Sequence, residues 1–530
     1  MNSTALSAPK LLRIVGTLLC IGISAAFTAR SVNDPLWADE LLTVHLLQAA
    51  SLRKLWDGIA LGIDGNPPLY LTVAWLLTRW LPASVSAVAV LKLLNLALVA
   101  AGLAGLWYLG RRVASAAACW GGVLILVTLN ENLLFAAFEL RTYAVYFAAA
   151  ALAALLQQRL MEHGRPRDVL GLALGFAALS LSHTFGIVYA GCIALAGWLS
   201  RPRDIATLRR TLSAFAPSLV LMLAWSPVLR EQLKVASPYG WITRPGWPEL
   251  AEVVFSSQLI MVISLVAAPF VAAMAVTLLR RQQLRPGTIL VAEPWQPLRY
   301  VVLVAAGFTG FALCSWLVSL IAFPIVVTRF FAPQLVVSFL AGVVLSECML
   351  AAATRRRAVV LSIGLVLAAL MLRNVLDHAA TPVHGRPVCA AASGGFFERA
   401  LVTGDLPVIT DSPHVFLPRI AYASHRDAYR FALDWDVVLN YPDRSRGNAV
   451  DYHILHGLQT WLPMPQVMTT ADILRDNRPF LVLETPARSW FAQLRATHRV
   501  EAEMLAQSAS DVPGEMTCTL WKVTRAEAAR

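Results

Sequence analysis

A polytopic α-helical membrane protein with a polar C-terminal domain is the fold class this sequence predicts, and three observations predict it. Hydrophobic residues make up 57% of the 530-residue chain and charged residues only 14%, against roughly 25% charged in soluble domains. Apolar stretches near the ~20 residues that cross a bilayer as a helix recur along residues 1–376. Residues 377–530 then change to a mixed, polar composition. The net charge of +12 comes from short basic clusters between apolar runs. That is the pattern of cytoplasmic membrane loops, and it argues against a nucleic-acid-binding face.

The elements follow in order. The first span covers about 11–29. Its flanks have the look of a signal peptide, and the many later spans favour an uncleaved helix. Further apolar runs cover about 85–109, 113–129, 142–158, 168–182, 184–199, 211–229, 258–279, 299–321, 331–352 and 357–374, so about 11 transmembrane helices are expected. The stretch "NPPLYLTVAWLLTRWLP" (66–82) is also apolar, but it opens on Pro-Pro, contains Arg79 and is short, which predicts an interfacial or re-entrant helix on the outer face. Residues 168–200 are too long for one span and split at His183 into two short helices joined by a tight turn.

Loop charge checks the count. With the N-terminus inside, the cytoplasmic connections hold Lys10 and Arg13; Arg111 and Arg112; Arg159, Arg165 and Arg167; Arg201, Arg203, Arg209 and Arg210; Arg280, Arg281 and Arg285; and Arg355, Arg356 and Arg357. Counting 66–82 as a span breaks that pattern. The same assignment puts Asp39 and Glu40, "FELRTY" (138–143), "SHTFG" (182–186), the 230–257 loop, "VVTRF" (326–330) and the tail on the outer face.

In the tail, β-like runs "LPVIT", "PFLVLE" and "TCTLWKV" alternate with helical stretches such as "HVFLPRIAYASH", which predicts an α/β domain over 377–530 beside a membrane domain over 1–376. The seven cysteines show no CxxC pair and no metal-ligand spacing. Cys389 and Cys518 fall in the outer, oxidising space, where a disulfide between them is expected.

Each polar residue gathered on the outer face has two readings. Asp39 and Glu40 either begin a helix, where acids gain from the macrodipole, or supply a general base (Asp39) with Glu40 ordering it. Glu139, Arg141 and Tyr143 either steady a loop through an ion pair or present Arg141 to an anion such as phosphate. His183 is a buried polar contact or a phosphate ligand; Arg329 snorkels to the surface or is a second phosphate ligand. Arg244, among Trp241, Trp247 and Tyr239, belongs to an aromatic belt or to a lid over the substrate.

The motifs "DPLWADELLTVHLL", "DGNPPLYLTVAWLL", "FELRTYAVY", "LSHTFG" and "TRFFAPQL" come in an order that resembles the GT-C glycosyltransferases. Within that superfamily the resemblance is to bacterial relatives of protein O-mannosyltransferases, lipid A aminoarabinose transferases and lipopolysaccharide galacturonic-acid transferases. It covers about residues 10–375, and the tail is only loosely similar to their outer domains. It implies a bacterial inner-membrane enzyme of GT-C type with a periplasmic C-terminal domain. The implied reaction is inverting transfer of a sugar from a polyprenyl-phosphate carrier to a hydroxyl acceptor on an envelope glycan, lipid or protein. On this resemblance Asp39, with Glu40 beside it, matches the acid at the reaction centre, and Arg141 falls in the second-loop motif. His183 stands where several relatives carry a Lys near the donor phosphate, and Phe330 where a Tyr is common. No cofactor is implied and the sequence has no DxD metal motif, although some members of the wider superfamily use a divalent cation. The implied partners are the lipid-linked donor, membrane lipid and the acceptor, with no nucleic acid. A flippase or transporter of lipid-linked sugars is the competing reading, although the chain shows no paired halves with matching broken helices.

Overall fold

The computed structural model describes residues 35–82, 84–236, 242, 244–255, 296–353, 368–373, 375–376, 406–435, 449–476, 478–485, 490–497, 500–507 and 518–525. The expected spans at 11–29 and 258–279, most of the one at 357–374, and Cys389 lie outside them. The chain falls into two compact units: Met1–Asp34, Asn66–Ser226 and Arg244–Val383 in the first, and Pro35–Gly65, Pro227–Thr243 and His384–Arg530 in the second.

Among the described residues five helices are long and apolar enough to cross a membrane: Ala87–Gly110, Tyr143–His163, Ile205–Leu233, Gln296–Ile321 and Thr328–Ala351. A sixth arises if Ala116–Leu129 and Glu131–Phe138, bent by 74° at their junction, form one span. The expected spans at 168–182 and 184–199 are helices of 17 and 15 residues, Pro166–Ser182 and Gly186–Ser200. The 66–82 stretch forms the 11-residue helix Leu69–Arg79.

Two expected spans differ in form. The helix expected over 113–129 continues, after a break, as Glu131–Phe138, because Asn130 is extended and its side chain accepts the Leu133 N–H at 3.3 Å, starting a new helix. The helix expected over 331–352 begins with a 3₁₀ turn, Thr328–Gln334, before Leu335–Ala353. Pro333 inside that turn has no N–H to give an α-helical ladder.

Small residues let the first unit's helices approach closely, as lipid-embedded interfaces require. Helix Tyr143–His163 is central: Ala148, Ala150, Ala151, Ala153 and Ala154 are all buried. A Cβ on Gly102 of the neighbouring helix would stand 2.7 Å from Phe147. Gly122 meets Val343, Phe339 and Gly342 in the same manner. Among the described residues, three of the loops expected inside meet at one end of the central helix: Arg112 pairs with Glu162 at 3.0 Å, and Arg210 lies against Gly164, whose φ of 63° closes the helix. The 139–142, 183–185 and 328–334 turns lie at its other end, about 30 Å away for a helix of 21 residues.

The second unit holds a six-stranded sheet. Its strands are β1 (Val408–Thr410), β2 (Tyr429–Ala432), β3 (Val467–Met468), β4 (Phe480–Glu484), β5 (Val500–Gln507) and β6 (Thr519–Arg525), in the order β3-β2-β1-β4-β6-β5. β1 pairs in parallel with β2 and β4, β2 in parallel with β3, and β6 is antiparallel to β4 and β5. Helix Pro413–Tyr422 follows β1 and packs on β1, on β2 and on helix Ala38–Leu47. Phe416 carries the sheet contact, its ring 5.6 Å from that of Phe431. Cys518 is disulfide-bonded, whereas Cys119, Cys192, Cys314 and Cys348 are in no disulfide.

Gly122→Val forces two branched methyls against Val343, where a Cβ alone already stands at 2.7 Å. Overpacking of this kind costs about 1–3 kcal/mol, so the detergent-solubilised variant is expected to melt several degrees below wild type. An unchanged Tm would contradict the close packing of these two helices.

Candidate functional site

The turn between helices Pro166–Ser182 and Gly186–Ser200 is built around His183. Its backbone is extended (φ −150°, ψ 149°), its carbonyl accepts the Gly186 N–H at 2.7 Å, and its ring Nδ1 accepts the Phe185 N–H at 3.2 Å. A nitrogen that accepts carries no proton, so the neutral ring presents Nε2–H as a donor. Gly186 is obligatory here: a Cβ on it would overlap the Leu179 carbonyl. His183 is 4% exposed. It stacks on Tyr146 with centroids 4.9 Å apart and planes 14° apart, and its ring lies 5.2 Å from Phe330 and 6.5 Å from Tyr143.

Glu139, Leu140, Arg141 and Thr142 link helix Glu131–Phe138 to helix Tyr143–His163. The link is tight: the Arg141 N–H donates to the Glu139 carbonyl at 2.8 Å, and Asn95 Nδ2 donates to the same carbonyl at 2.6 Å. Thr142 Oγ1 donates to the Ser182 carbonyl at 2.6 Å, which ties this turn to the one before His183. Glu139 and Arg141 are both buried, and the Arg141 charge acts on the His183 ring. Tyr146 is fully buried, and its hydroxyl has no hydrogen-bond partner among the described residues.

The third turn is Thr328–Gln334. Arg329 is half-buried, with its guanidinium 5.9 Å from the Phe330 ring, and Gln334 Nε2 donates to the Phe308 carbonyl at 2.5 Å. Thr328 lies beside Glu252 of helix Trp247–Phe255. Burial pushes the Glu252 carboxyl above its ordinary value, and the Glu131 charge adds to this. Arg244 is exposed, just ahead of the point where Trp316 Nε1 donates to the Gly246 carbonyl at 2.9 Å and Trp247 packs 4.5 Å from Trp316.

Arg141, Tyr143 and His183 are thus brought together with the turn that carries Arg329. Asp39 and Glu40 belong to the other unit. There Asp39 is half-buried near the start of helix Ala38–Leu47, and Glu40 is fully buried with its Oε2 accepting the Trp37 N–H at 3.2 Å. Two charged residues escaped the sequence reading. Lys92 is 1% exposed inside an apolar spanning helix, one turn before Asn95. An ionisable residue at such depth costs several kcal/mol unless it serves the bundle interior, and a lone Lys in "AVAVLKLLNLALVAA" was the available signal. Glu252, four residues from helix-breaking Pro248 in a loop, gave none.

No protein-family model matches the sequence, and no curated protein is similar to it at a significant level. Solved structures do match. ArnT from Cupriavidus metallidurans in the apo state superposes with a TM-score of 0.57 at 12% identity, over 95% of this chain and 97% of that one. The same protein bound to undecaprenyl phosphate superposes with a TM-score of 0.51 at 12% identity, over 96% and 97%. This chain therefore has the same fold as ArnT.

Gly186→Ala is expected to lower the melting temperature well below that of Gly191→Ala, because a Cβ at Gly191 meets nothing within 4 Å. Equal melting curves for the two variants in detergent would contradict the His183 turn as described.

Proposed function

We propose that the protein is a glycosyltransferase that moves a sugar from a polyprenyl-phosphate carrier to a hydroxyl acceptor on the outer face of a bacterial inner membrane. One observation carries this reading. Three turns, carrying Arg141, His183 and Arg329, lie together at one end of the bundle, opposite the end where Arg112, Glu162, Gly164 and Arg210 meet. By the positive-inside rule the basic end is cytoplasmic, so the end with the three turns faces the periplasm. The undecaprenyl phosphate bound by the structurally similar ArnT supports a lipid phosphate as ligand, and the disulfide at Cys518 supports an oxidising compartment for the domain over 377–530.

In this reaction the acceptor oxygen attacks the anomeric carbon, and the bond from that carbon to the phosphate oxygen breaks with inversion. The acceptor proton passes to the Asp39 carboxylate, and the polyprenyl phosphate departs with the bonding pair. Arg141, Arg329 and the His183 Nε2–H stabilise the charge that grows on the leaving phosphate, as preorganised donors do. Phosphate oxygens also offer a partner to the buried Tyr146 hydroxyl. Glu40, spent on the Trp37 N–H, fixes the start of the helix that carries Asp39. Glu139 and Tyr143 support Arg141 and His183 from within the same turn, and Arg244 guards the entrance from its exposed loop. Residues 1–376 form the catalytic membrane domain in this reading.

A general base contributes about 10²–10⁴-fold to rate, so Asp39→Asn is expected to lower kcat by that factor with little change in KM for the lipid donor. Arg141→Ala removes a leaving-group donor, worth about 10²–10³-fold. The assay follows labelled sugar from a panel of undecaprenyl-phosphate monosaccharides into envelope extract, using protein in nanodiscs. Full activity in Asp39→Asn, or carrier movement across liposomes with no sugar released, would contradict the reading.

A further inference from the structure

Asp39 sits on a helix too short to hold its own shape. Helices Ala38–Leu47 and Leu52–Ala60 have 10 and 9 residues, and isolated helices shorter than about 12–15 residues are marginal in water. A general base must nevertheless be kept within hydrogen-bond reach of the proton it removes. The bracing comes from the far end of the chain.

Ahead of Asp39, the Leu36 N–H donates to the Tyr422 hydroxyl at 3.0 Å, and the Trp37 indole stacks on the His414 imidazole at 6.1 Å with planes 14° apart. Both partners belong to helix Pro413–Tyr422, which rests on β1 and β2, so the acid-bearing helix forms a further layer on the sheet. Burial raises the Tyr422 phenol above its ordinary value and the Glu40 charge raises it further, which places that carboxylate beside the same contact. Behind Asp39, Trp461 Nε1 donates to the Lys54 carbonyl at 2.7 Å, and the Lys54 ammonium lies 5.3 Å from the centre of the Trp461 ring. Two glycines set how close these helices come. A Cβ on Gly58 would stand 3.0 Å from Trp461 Nε1, and one on Gly457 would stand 2.7 Å from the Leu61 carbonyl. The loop that follows is held by Gln232, whose Nε2 donates to the Ile59 and Asp64 carbonyls at 3.2 Å each.

We infer that the C-terminal domain is the positioning device of Asp39: Tyr422 and Trp461 act as positioning residues that hold the acid-bearing helix, and removal of the acceptor proton depends on them. The inference rests on Asp39 being the base, as argued above. It assigns the 377–530 segment a part in the reaction that is separate from binding the lipid phosphate.

The test uses the full-length protein in nanodiscs with two measurements, hydrogen exchange of the backbone and steady-state sugar transfer. Losing one hydrogen bond of this kind changes an opening equilibrium by about five- to tenfold. Tyr422→Phe, at a residue 53% exposed and therefore tolerant of the change, should speed exchange across residues 36–47 by about that factor. Trp461→Phe should do so across 52–61. Both should lower kcat by roughly three- to tenfold, leave the donor KM unchanged and leave the melting temperature within a few degrees of wild type. Met504→Ala, on the exposed edge strand β5, should change neither measurement. If Asp39→Asn is inactive while Tyr422→Phe and Trp461→Phe keep wild-type kcat, the inference fails and the proposed function stands, whether or not exchange changes. If Asp39→Asn keeps full activity, both fail.

Discussion

Lipid offers a polypeptide backbone no hydrogen bonds, so a helix can break at membrane depth only where other protein groups take up the released N–H and C=O groups. Three turns of this chain lie at the same end of the bundle, and the carbonyls there are taken up by neighbouring side chains. Thr142 bonds the Ser182 carbonyl across the first two turns, and Asn95 bonds the Glu139 carbonyl. Gln334, at the third, bonds the Phe308 carbonyl. The His183 ring then fills the space between them, in contact with Tyr146, Tyr143 and Phe330.

The same constraint concentrates charge. A buried cation in a spanning region costs several kcal/mol, and the first unit places Lys92 and Arg141 on elements that meet at the Asn95–Glu139 bond. Around the His183 ring this end of the bundle gathers aromatic side chains, Tyr146, Tyr143 and Phe330. Asp39 belongs to the second unit, on a short helix whose start is tied to Tyr422 within that same unit.

Much of this was legible in the sequence where one-dimensional signals suffice. Apolar periodicity located Ala87–Gly110, Tyr143–His163 and Gln296–Ile321 to within a few residues, and the tail strands β1, β4 and β6 fall on "LPVIT", "PFLVLE" and "TCTLWKV". The turn at "SHTFG" was legible because residues 168–200 are too long for one span; that only glycine fits beside the Leu179 carbonyl is visible in three dimensions alone. The 74° bend at Asn130 was missed, although Asn in "TLNENLL" is an N-cap signal, because the apolar run on either side masks it. Lys92 was passed over for the same reason. The grouping of residues 35–65 with the C-terminal segment lay out of reach, since it depends on Leu36–Tyr422 and Lys54–Trp461 contacts some 400 residues apart in the chain, 386 and 407 respectively.

The most direct measurement of whether the three turns form a lipid-phosphate site is photo-crosslinking with undecaprenyl phosphate carrying a photoreactive group at the headgroup, followed by peptide mapping. The expected adducts fall within 139–146, 183–189 and 328–334, and excess unlabelled undecaprenyl phosphate removes them. Adducts confined to the opposite end, around Arg112, 159–167 and 201–210, would contradict the site and with it the orientation of the bundle.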